Sequence, residues 1–175
     1  MSPRGPAALG DGWHVGVVTE VAEDTGVVLD VLGVARGRRF HTGRMAVPAG
    51  MTYLVVAPSG TASFEVLRDR YDPAVVVLVG GGREVGREVV VTHAAGGPVR
   101  DAVSAFFSAA GEPAALPGFG GAPSFHVTRG AVGAPPFDPG ATAGGRPRTW
   151  AVVRGDTVHA AQALRYLIPY LRSRL

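Results

Sequence analysis

Hydrophobic positions change rhythm several times along this chain, and the changes divide it into elements. From Trp13 to Ala22 apolar and polar residues alternate, with Trp13, Val15, Val17, Thr19 and Val21 on one side. A period of two belongs to a strand with one buried face. EDTG (Glu23 to Gly26) is a turn signal, and the β-branched run Val27 to Val34 predicts a second strand, so the two read as a hairpin. Ala35 to Arg44 reads as a basic loop with a short strand around Phe40, and Met51 to Ala57 predicts the next strand. Thr61 to Asp69 alternates again through Ala62, Phe64 and Val66. AVVVLV (Ala74 to Val79) is apolar throughout, as in a central strand covered on both faces. A hairpin turn is expected from the glycines at 80–82 and near Val85 and Gly86, followed by a strand from Arg87 to Thr92.

The period then lengthens. Val99, Val103, Phe106, Phe107 and Ala110 follow i, i+4, i+7, i+8, i+11, which predicts a helix over 98–110 opening on Pro98 and closing at Gly111. A second helix is predicted over 157–173, capped by Asp156 or Thr157, with Ala160, Leu164, Leu167 and Leu171 inward and Pro169 kinking it or unwinding its last turn. Strands are predicted at Ser124 to Gly130 and Thr149 to Gly155. Short early connections favour antiparallel neighbours. The expected fold is therefore α+β: a mainly antiparallel twisted sheet or partly closed barrel with two covering helices. Residues 1–12 read as a flexible lead, and 13–175 as one globular domain with a Gly/Pro-rich excursion at 111–148.

Composition narrows the chemistry. The chain has 175 residues, is 46% hydrophobic and 18% charged, and contains no Cys. Disulfides, thiolate metal sites and a Cys nucleophile are excluded. All 17 basic residues are Arg and the formal charge is +3, too little by itself to argue for nucleic acid. The start shows no apolar signal segment and no run is long enough to span a bilayer, so the expectation is a cytoplasmic protein without membrane contact. His14, His41, His93, His126 and His159 are scattered singly, with no HxH or HExxH spacing, so neither a metal nor another cofactor is expected.

Two regions carry candidate chemistry. EVVVTHAAGGPVRDAV puts His93, Gly96, Gly97 and Arg100 at a strand-to-helix corner. Helix N-termini present unpaired N–H groups, the glycines admit a ligand to the backbone, and His93 is a candidate catalytic base. Gly96, Gly97 and Arg100 are the candidate anion-binding residues, although the glycine spacing matches no phosphate-loop pattern. One of the two glycines is expected in a backbone conformation that L-residues avoid. The second region is the basic patch Arg36, Arg38, Arg39, His41 and Arg44, whose guanidinium groups suit phosphates, with Phe40 available for stacking.

Three functions remain open. The first is a non-catalytic binding or assembly module, using protein partners or self-association as a homo-oligomer; Phe119, Phe125 and Phe137 in the Gly/Pro-rich excursion would form a docking arm. The second is a small enzyme acting on an anionic or acyl substrate at the His93–Gly97 corner. The third is phosphate or nucleic-acid binding through Arg36 to Arg44.

Overall fold

The computed structural model describes residues 12–59, 61–80, 88–132 and 149–175. Its centre is built by short, Val-rich strands that can only be satisfied by cover on both faces. β1 (Val15–Thr19) is buried at every residue. It pairs in parallel with β3 (Gly50–Ala57) on one side and β4 (Val75–Val79) on the other. β2 (His41–Val47) runs antiparallel along the outer edge of β3. On the other flank β8 (Trp150–Arg154) lies parallel to β4 and antiparallel to β5 (Glu88–His93). β7 (Phe125–Arg129) and β6 (Ala114–Leu116) complete an eight-stranded mixed sheet in the order β2-β3-β1-β4-β8-β5-β7-β6.

Alternate side chains leave the sheet on opposite faces. Val15, Val17, Leu54, Val56, Val75, Val77, Ala151 and Val153 join one core with α1 (Asp24–Leu32), α3 (Gly97–Ala110) and α4 (Thr157–Arg174). α4 packs against both α1 and α3. Val18, Val55, Ala57, Leu78, Trp150 and Val152 form the other core. It is covered by α2 (Thr61–Val66) and the π-helical turn Leu67–Tyr71, which buries Leu67 completely.

The architecture is thus α/β, with a mixed eight-stranded sheet and four α-helices among the described residues, rather than a mainly antiparallel sheet under two helices. The difference has one cause. Two stretches predicted as strands, Val27 to Val34 and Thr61 to Asp69, are mostly helical as α1 and as α2 with its π turn. A helix between strands permits the crossover that parallel pairing needs, whereas a third strand implies a hairpin. β1 therefore does not fold back on its successor but pairs with β3 and β4. The central placing of the AVVVLV strand and the positions of β5, β7, β8, α3 and α4 agree with the sequence pattern within a residue or two. α4 continues through Pro169 to Arg174, so its last turn is not unwound. The expected lead at 1–12 lies almost entirely outside the described residues. So do the turn at 81–86 and the last part of the Gly/Pro-rich excursion. The described part of that excursion holds β6 and β7.

Candidate functional site

Strand polarity decides which end of the sheet can hold a site. In a sheet with parallel strands, ligands enter the crevice outside the carboxyl ends, where neighbouring connections leave in opposite directions. Here the chain leaves β1 for β2 and β3 on one side and leaves β4 for β5 on the other, so the topology assigns that crevice to the ends of β1 and β4. The neighbouring ends are tied together: the Glu20 N–H reaches the Val79 carbonyl at 3.5 Å, and the Gly80 N–H donates to the Val153 carbonyl at 3.1 Å.

On one side of the crevice stands the first turn of α1. Thr19, at the end of β1, and Thr25, in α1, share a buried hydroxyl–hydroxyl hydrogen bond of 2.8 Å. That bond fixes the strand to the helix start and brings Asp24 over the end of β4. A Cβ built on Gly80 would lie 3.5 Å from Asp24 Oδ2, and Gly80 has φ +115°. Glycine therefore forms a floor that a side chain would fill.

On the other side, β8 ends at Arg154 and α4 begins at Thr157, leaving Asp156 at the N-cap. Asp at this position ordinarily accepts a hydrogen bond from an N–H of the first turn. Asp156 makes no such bond. Its carboxylate is half exposed, with Oδ2 3.6 Å from Nδ1 of His159, whose ring is buried. The ring stacks on Phe125 at 4.9 Å with 21° between the planes. Because β4 separates β1 from β8, the ends of those two strands lie about 10 Å apart. Two carboxylates flanking a glycine floor across such a gap can serve two proton transfers on one small substrate.

The sequence-based candidates fall elsewhere. His93 pairs in register with Ala151, at the start of β8, about 15 Å along the strand direction from Asp156. Its Nδ1 meets the Ala94 carbonyl at 2.8 Å, and Nε2 is buried without a partner among the described residues. His93 is 3% exposed, so it is a core residue facing no open corner. Gly96 and Gly97 do have positive φ, +86° and +74°. Arg100 is held by its neighbour, with Nη2 3.1 Å from Asp101 Oδ1. The corner brings Gly96, Gly97 and Arg100 together in sequence, while the His93 ring is buried in the core.

Arg36, Arg38, Arg39 and Arg44 are exposed. His41 is half-buried, its Nδ1 accepting the Gly37 N–H at 2.8 Å. Burial first, and the Arg36 charge second, hold its pKa below the ordinary 6.5. Phe40 is buried against Tyr71, ring centroids 5.2 Å apart, and offers no stacking platform. Among the described residues no group of three or more His, Asp or Glu could hold a metal ion. Nor is any helix of these residues long and apolar enough to cross a membrane.

Sequence reasoning noticed Asp156 only as a cap, Asp24 only as part of a turn, and His159 only as one of five scattered histidines. The signal that could have found them was the repeated order of strand, acidic residue, helix, in VGVVTEVAED and in WAVVRGD.

No family model and no curated protein matches the chain. Solved structures do. A futalosine hydrolase mutant of Helicobacter pylori strain 26695 superposes with a TM-score of 0.51 at 11% identity, over 93% of this chain and 100% of that one. The 5'-methylthioadenosine/S-adenosyl homocysteine nucleosidase of Campylobacter jejuni gives 0.50 at 8% identity, over 94% and 100%. At these identities the likeness is one of fold.

The expectation of a non-catalytic assembly module is thereby corrected. Its docking arm does not exist as drawn: Phe125 is fully buried, Phe119 packs against the core, and Phe137 lies outside the described residues. Two solved structures that share the fold are a hydrolase and a nucleosidase rather than an assembly module.

Proposed function

We propose that the chain is a small nucleosidase, hydrolysing the bond between a base nitrogen and C1' of a ribose-type sugar in the crevice between Asp24 and Asp156. The supporting observation is the Asp156 carboxylate. It occupies an N-cap without capping, at the carboxyl edge of the sheet, across Gly80 from a second carboxylate. The shared fold with a futalosine hydrolase and a 5'-methylthioadenosine/S-adenosyl homocysteine nucleosidase supports the reaction class.

The chemistry follows from what two carboxylates can do. As the C1'–N bond breaks, its electron pair moves to the base, and the sugar takes on oxocarbenium character. Asp156 is placed to pass a proton to the departing base. Asp24 takes the proton from the water that adds to C1', and solvent returns the two groups to their starting states. No other partner is needed, because the atoms of water end on the sugar and the base.

The test offers 5'-methylthioadenosine, S-adenosylhomocysteine and futalosine to the purified protein and follows free base by chromatography. Base release is expected from at least one. D24N and D156N should each lower kcat by about 10²- to 10⁴-fold while melting like the wild type. No release from any of the three, or full activity in D156N, would overturn the reading.

A further inference from the structure

We propose that His159 is a positioning residue that holds the Asp156 carboxylate off the N–H groups at the start of α4; this rests on the nucleosidase reading above. His159 stands three residues after the N-cap, at the place where a capping-box Glu or Gln would reach back to the N-cap N–H. Here the imidazole reaches back to the carboxylate instead, Nδ1 to Oδ2 at 3.6 Å. That is longer than a hydrogen bond, and a small swing of the carboxylate closes it.

Nothing about packing requires a histidine at this position. Its ring is buried, and both ring nitrogens lack a hydrogen-bond partner among the described residues. Burying an imidazole with two unsatisfied nitrogens carries a desolvation cost that an apolar side chain would avoid. Phe125, fully buried, lies flat against the ring and holds its orientation. The Asp156 carboxylate lies 3.6 Å from Nδ1. The clamped ring therefore holds Nδ1 toward that carboxylate. It offers an N–H to Oδ2 in competition with the N–H groups of the first turn.

The test compares wild type with H159L and H159N by amide hydrogen exchange in the first turn of α4, and then by kinetics. In H159L the carboxylate is free to take up the cap, so exchange at Val158 and His159's position should slow by about fivefold. H159N presents an N–H close to the place of Nδ1 and should restore the wild-type rate. In turnover, H159L should lose about tenfold or more in kcat with KM unchanged, and H159N should regain most of it. If H159L does not fold, H159Q, which makes an ordinary capping box, serves the same comparison. Unchanged exchange overturns the inference whatever the activity, and so does slowed exchange with an undiminished kcat. Failure of the nucleosidase reading looks different: no base is released by the wild type, while the exchange comparison still decides the role of His159.

Discussion

The hydroxyl of Thr19 and the hydroxyl of Thr25 are hydrogen-bonded at 2.8 Å in a buried setting, where the last residue of β1 meets the first turn of α1. Each is the other's partner. Thr25→Val keeps the shape and removes one hydroxyl, leaving Thr19 Oγ1 buried and unsatisfied. The expected loss is about 1–3 kcal/mol in denaturant unfolding. The double variant T19V/T25V should cost less than the sum of the singles, because it leaves no orphan. Additive losses would show that the bond does not join strand to helix.

Gly80 tests the floor of the crevice. An alanine there would have to adopt φ near +115° and would bring its Cβ to 3.5 Å from Asp24 Oδ2. The expected penalty is about 1–3 kcal/mol in stability. Turnover should fall well beyond what the folded fraction explains. An alanine variant with full activity per folded molecule would mean that substrate does not approach Gly80.

His93 should behave as core. His93→Ala removes a buried ring with a hydrogen bond to the Ala94 carbonyl, so it is expected to lower the melting temperature clearly. Activity per folded molecule should be unchanged. Added phosphate should raise the melting temperature of the variant and the wild type equally. A phosphate effect confined to wild type would restore the corner as an anion site.

His41 predicts a direction for acid stability. Its pKa in the fold lies below the ordinary 6.5, through burial and then Arg36, so the neutral form is favoured. The Gly37 N–H donating to Nδ1 agrees, since only an unprotonated Nδ1 can accept it. The contribution is present above pH 6.5 and is lost as pH falls through the lower folded value. Urea midpoints measured downward from pH 7 should therefore decline less steeply in His41→Gln than in wild type. Parallel curves would rule out His41 as a source of the slope.

Much of the sheet was legible because fully buried strands write their own signal. AVVVLV and the repeated Val of β5 and β8 can hardly be anything else. What failed was the assignment of α1. Val27, Val28, Val31 and Leu32 are β-branched or apolar enough to predict a strand, yet Val28, Leu29, Val31 and Leu32 pack as one buried helical face. The contrary signal was Gly33, which ends the helix at φ +68° with its N–H on the Leu29 carbonyl. Propensity lost there to tertiary burial. For the site, the sequence placed Asp156 correctly at a helix start. It could not reveal that the side chain forgoes the cap, because that depends on His159 and Phe125 coming from different elements.

The place of β8 has a consequence for assembly. It lies between β4 and β5, yet it is made after both of them and after β6 and β7. Without residues 150–154 the sheet would be two separate ribbons, β2-β3-β1-β4 and β5-β7-β6, each with an open edge of unpaired N–H and C=O groups. The final strand stitches them and carries Asp156 to the crevice in the same motion. β8 is thus the keystone of the arch: the two ribbons meet only through it.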